Sequence, residues 1–108
     1  MSKIYCVDFD GTLCKDAWPE IGEMNIALIE KLKKLQKDGH RIILWTCREG
    51  NELTPAVNAC KELGLIFDAV NANLPDMVEQ FNGNDCRKVY ADYYIDDKNL
   101  LIWDNSLK

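Results

Sequence analysis

The apolar run Ile4-Tyr5-Cys6-Val7, ending in Asp8-Phe9-Asp10-Gly11-Thr12-Leu13, constrains the fold most. Apolar residues that do not alternate with polar ones predict a strand over Ile4 to Phe9, buried on both faces. Asp8 and Asp10 fall on the same side of an extended chain, while Phe9 points the other way, towards a core. Gly11 supplies a backbone turn that other residues resist. Thr12 can cap that turn or hydrogen-bond to it. The chain thus presents two carboxylates together at a strand end. An aspartate there can be a nucleophile, an acid/base or a metal ligand.

The rest of the chain alternates strand and helix patterns. Asn25 to Asp38 carries Ile26, Ile29, Leu32 and Leu35 on one helical stripe, with Gly39 as terminator. Arg41 to Trp45 reads as a second buried strand. A turn at Arg48 to Asn51 leads into a helix from Thr54 to Leu63, with Pro55 in its first turn. A third strand falls in Leu65 to Val70, a short helix near Asp76 to Phe81, a fourth strand at Tyr93 to Ile95 and a fifth at Leu100 to Trp103. Cys14 to Pro19 reads as a loop. This alternation predicts an α/β fold, a parallel sheet with helices on both faces. Such sheets bind ligands beyond the carboxyl ends of their strands. Asp8 and Asp10 follow strand one, Thr46 and Arg48 strand two, Asp96 and Asp97 strand four.

With 108 residues, the chain has the length of one ordinary domain, residues 1–108, with enough surface to bury a core. Its net charge of -5 argues against general nucleic-acid or anionic-membrane binding. No apolar run approaches the roughly 20 residues of a membrane helix, and Met1-Ser2-Lys3 leads into a strand without a signal-peptide pattern. The five cysteines, Cys6, Cys14, Cys47, Cys60 and Cys86, form no CxxC or Cys/His cluster. They read as free thiols of a reducing cytosol. Cys47 lacks a histidine base nearby in sequence, which argues against a thiol nucleophile.

Four carboxylates in one crevice need compensation. Two charges about 4 Å apart repel by about 4 kcal/mol at an effective dielectric of about 20. A cation, a basic neighbour or a raised pKa relieves this. Oxygen-only ligands suit magnesium. Thr46, the amides around Thr46 and Cys47, and the charge of Lys88 suit a phosphate. The set fits phosphoryl transfer. Taken singly, most of these residues have plainer explanations: a turn or helix cap for Asp96-Asp97, a surface charge for Lys88 or Arg48. Their shared position at successive strand ends is what points to a site.

These motifs resemble those of the haloacid dehalogenase-like (HAD) phosphohydrolases. Asp8-Phe9-Asp10-Gly11-Thr12-Leu13 is similar to the first motif, Thr46 to the second, Lys88 (or its neighbour Arg87) to the third, and Ile95-Asp96-Asp97 to the fourth. The resemblance implies a Rossmann-like three-layer sandwich with a mostly parallel five-stranded sheet of order 3-2-1-4-5. There is no room for a cap domain. Asp8 would form an aspartyl-phosphate and Asp10 would act as acid and base. Mg2+ would be held by Asp8, the Asp10 carbonyl and Asp97, with Asp96 direct or through water. Thr46 and Lys88 would hold the phosphoryl group, and Cys47 and Arg48 beside Thr46 are further substrate-binding candidates from their position at the strand end. The expected activity is magnesium-dependent phosphomonoester hydrolysis in the cytoplasm, on a small or extended phosphorylated substrate. The open site leaves self-association as a lid. The alternatives are a non-enzymatic phospho-acceptor, whose aspartate would follow the third strand, or a phosphate-binding protein with a weakly active site.

Overall fold

In the computed structural model, residues 2–99 are described. The elements are β1 (Ile4–Val7), β2 (Cys14–Ala17), β3 (Glu20–Met24), α1 (Ile26–Lys37), β4 (Arg41–Leu44), α2 (Gly50–Glu62), β5 (Ala69–Val70), α3 (Pro75–Gln80) and β6 (Tyr93–Ile95). Four strands form a sheet of order β5-β4-β1-β6, and every pairing in it is parallel. β1 is central, with Val7 in register with Leu44 on one side and Ile95 on the other. The strand expected at Leu100 to Trp103 lies outside the described residues.

Unalternating apolar strands are explained by what covers each face. Val7, Ile42 and Leu44 pack with Phe9, Ile29, Leu32, Ala56 and Cys60, which places α1 and α2 on one side. Ile4, Cys6 and Ile43 pack with Leu74, Val89 and Ala91 on the other, with Met77 of α3 beside them. Each fully buried Leu or Ile contributes roughly 1.5–3 kcal/mol through burial. Two carboxylates finish the strand edges. Asp92 accepts the Ile4 N–H at 2.7 Å, and Asp68 accepts the Ile42 N–H at 2.7 Å.

α1 begins at Asn25, whose Oδ1 accepts the Leu28 N–H at 3.1 Å and whose Nδ2 donates to the Thr12 carbonyl. The helix start is thereby pinned to the Asp8–Leu13 segment. It ends at Gly39, φ 96°, where the His40 N–H turns back to the Leu35 carbonyl.

Three elements differ from expectation. Cys14 to Pro19 is not a loop: β2 and β3 form an antiparallel hairpin that turns at Trp18-Pro19. Its residues are largely exposed, so no apolar alternation announces it. α2 starts at Gly50, not Thr54, which leaves Pro55 inside the helix. Its first turn is held partly from outside, because Arg48 Nη1 donates to the Glu52 carbonyl at 3.1 Å. The third strand shrinks to Ala69–Val70, since the Asp68 side chain takes the Ile42 N–H before the ladder begins.

Candidate active site

β1 ends between two strands, and backbone bonds fix the residues just beyond it. The Asp8 N–H donates to the Ile95 carbonyl at 3.0 Å, and the Trp45 N–H donates to the Val7 carbonyl at 2.9 Å. The carboxyl ends of β1, β4 and β6 are therefore laced together. Asp8, Asp96 and Asp97 each place a carboxylate oxygen within 4.8 Å of the others. Phe9 turns into the core and is fully buried.

Gly11 closes the turn at φ 86°, with the Thr12 and Leu13 N–H groups donating to the Phe9 carbonyl. The Thr12 hydroxyl itself is buried and has no partner among the described residues, so the backbone makes this turn. A Cβ on Gly11 would overlap the Asp97 carboxylate. Gly11→Ala is therefore expected to lower Tm by about 10 °C, from left-handed strain plus the clash. It should also weaken divalent-cation binding in a calorimetric titration, because Asp97 must move. Unchanged cation affinity would mean that Asp97 holds no cation there.

Burial pushes the Asp8 carboxyl up to about 6, and the charges of Asp96, Asp97 and Asp10 add to it against a stabilising Phe9 N–H. Lys98 is the local counter-charge: its Nζ lies 3.4 Å from Asp97, whose charge raises the lysine pKa. Sequence reasoning passed over Lys98 because an exposed lysine in a turn is ordinary. Three clustered oxygen donors and a carboxyl that resists ionisation fit a hard divalent cation.

Asp10 stands apart from this trio. Both of its carboxylate oxygens accept from Arg48, at 2.8 Å from Nε and 2.7 Å from Nη2. Arg48 is 1% exposed, and its pKa is raised chiefly by the bond to Asp10. The sequence suggests Arg48 for the substrate. The structure engages all five of its N–H groups within the chain.

Two cavities meet at Asp8. One, about 300 Å³, is lined by Thr46, Cys47, Trp45 and Asp96. The other, about 200 Å³, is lined by Lys88, Trp45, Tyr94 and Asp96. Lys88 rather than Arg87 lines it, with its Nζ 5.4 Å from the centre of the Tyr94 ring. Lys88 forms no ion pair among the described residues. A larger cavity of about 430 Å³ lies beside Gly11, Thr12 and Asn25, and Asp8 does not line it.

Asn71 is a supporting residue that sequence reasoning placed only in an irregular stretch. At φ 54° its Oδ1 accepts the Thr46 N–H at 2.7 Å and its Nδ2 donates to the Arg48 carbonyl at 3.4 Å. The Thr46 amide is thus engaged, so the Thr46 hydroxyl is the group left to donate. It already accepts the Arg48 N–H at 3.1 Å.

Residues 5–101 match the family described as haloacid dehalogenase-like hydrolase. No curated protein matches. A solved structure of a conserved protein from Bacteroides thetaiotaomicron is 42% identical, with a TM-score of 0.81 over 93% of this chain and 79% of that one. Among the described residues no helix is long and apolar enough to cross a membrane. Sequence motifs, parallel sheet and carboxylate trio agree with the match, and the chain belongs to the haloacid dehalogenase-like hydrolases.

Proposed function

We propose that the protein is a magnesium-dependent phosphomonoester hydrolase acting through an aspartyl-phosphate on Asp8. The observation that carries this is the trio Asp8, Asp96 and Asp97, within 4.8 Å at the mouth of two cavities. An Asp8 carboxylate oxygen attacks phosphorus, and the bond from phosphorus to the ester oxygen breaks. A proton carried on the Asp10 lone pair that Arg48 leaves free passes to the departing alcohol. Asp10 then takes a proton from water, which attacks the same phosphorus. The bond to Asp8 breaks and phosphate leaves. Thr46 and Lys88 hold the phosphoryl oxygens, with Cys47 at the rim.

Mg2+ would be held by the carboxylates of Asp8 and Asp97, the Asp10 carbonyl and Asp96. It would neutralise charge on the transferring phosphoryl group. The open cleft suits either a small or an extended phosphorylated substrate, and a second copy of the chain would serve as a lid. Five free cysteines support a reducing, cytoplasmic setting.

Hydrolysis of p-nitrophenyl phosphate tests the reading. Turnover is expected with millimolar Mg2+ and should vanish on chelation. A stable phospho-protein formed from acetyl phosphate, with no turnover of esters, would instead make the chain a phospho-acceptor.

A further inference from the structure

We infer that Arg48 is a positioning residue for Asp10, and this rests on the phosphohydrolase reading above. A buried guanidinium needs partners for five N–H groups. Two reach the two oxygens of Asp10. The other three donate to the carbonyls of Pro19 (3.2 Å), Glu20 (3.0 Å) and Glu52 (3.1 Å). The guanidinium carbon lies over two rings, 5.1 Å from the centre of Phe9 and 4.9 Å from the centre of Trp18. One side chain thereby joins the end of β1, the tip of the β2–β3 hairpin and the first turn of α2.

Asp10 is the one charged partner in this set. The paired Nε and Nη2 contacts hold both carboxylate oxygens in the plane of the fork, which fixes the rotation of that side chain. Asp10 therefore takes its orientation from Arg48 and not from the carboxylates around Asp8. Trp18 at the hairpin tip lies over the guanidinium, and the pair is left with Arg48 buried and Asp10 21% exposed. Arg48 has no N–H left for a substrate phosphate. Its effect on the reaction must pass through the carboxylate it holds.

A kinetic double-mutant cycle tests this with p-nitrophenyl phosphate and Mg2+ on the full chain. Arg48→Met is expected to lower kcat about 100-fold, the scale of a misplaced catalytic group, with KM changed less than about threefold. In an Asp10→Asn background the same substitution should change kcat less than about threefold, because the residue it acts through is already gone. An undiminished 100-fold loss in that background would show a purely architectural role and overturn the assignment. So would a rise in KM at constant kcat, which marks a substrate ligand. Arg48→Lys keeps the charge but not the fork, and is expected to stay folded with kcat down at least about tenfold. If Arg48→Met does not fold, the cycle is run with Arg48→Lys, and full activity in that variant would also overturn the assignment. Absence of turnover in the wild-type chain would overturn the hydrolase reading and this role together, before any variant is compared. Failure confined to the variants leaves the hydrolase reading standing.

Discussion

Asp8→Asn is expected to reduce hydrolysis of p-nitrophenyl phosphate by about 10^4-fold or more, the order seen when a covalent nucleophile is removed. The amide matches the carboxylate in shape but cannot form the acyl-phosphate bond. Asp8 sits where backbone bonds from β4 and β6 converge, so the variant should keep the fold. Far-ultraviolet circular dichroism should match the wild type. Asp10→Asn, by contrast, leaves the nucleophile intact, and phospho-protein trapped by acid quench should still be detectable there. Turnover at the wild-type level in Asp8→Asn would remove Asp8 from the mechanism.

The same substitution should have the opposite effect on stability. Burial and three neighbouring carboxylates move Asp8 from its ordinary 3.8 to about 6 in the folded chain. The folded state therefore holds this proton more tightly than the unfolded state. The contribution is fully present below pH 3.8 and is lost as pH rises through about 6. The displacement corresponds to at most about 3 kcal/mol, and partial exposure reduces that to roughly 1–2 kcal/mol. In a chelator at about pH 7.5, Asp8→Asn should melt about 5–10 °C above wild type. Below pH 3.8, where Asp8 is protonated in the folded and the unfolded chain alike, the two should nearly coincide. Saturating Mg2+, at about 100 times its dissociation constant, adds about 2.7 kcal/mol to the wild type at the higher pH. Protons should erase that gain at the lower one. Equal melting temperatures at the higher pH without metal would mean the carboxylates are not crowded.

Much of the sheet was legible because its signals are local. Ile4 to Val7 and Arg41 to Leu44 are apolar on both faces, and that pattern belongs to strands covered on both sides. The meeting of Asp8 with Asp96 and Asp97 followed from parallel order, since all three leave the carboxyl ends of adjacent strands. The hairpin was not legible. Lys15, Asp16, Glu20 and Glu23 look like a solvated loop, and what orders them lies partly outside the segment, in Arg48 bound to the Pro19 and Glu20 carbonyls. Arg48 itself illustrates the same limit. A cation at a strand–helix turn reads as surface or ligand, and only the fold brings five acceptors around it. The shortening of the third strand has a similar origin. Asp68 replaces a ladder bond with a side-chain bond, which composition does not reveal.

The central place of β1 has a kinetic consequence. The acidic trio joins residue 8 to residues 96 and 97, so it exists only after a chain loop of nearly the whole described length has closed. An ion bound there has no foothold while that closure is still incomplete. Its stabilisation should accordingly lengthen the lifetime of the finished molecule and leave the speed of assembly almost unaltered.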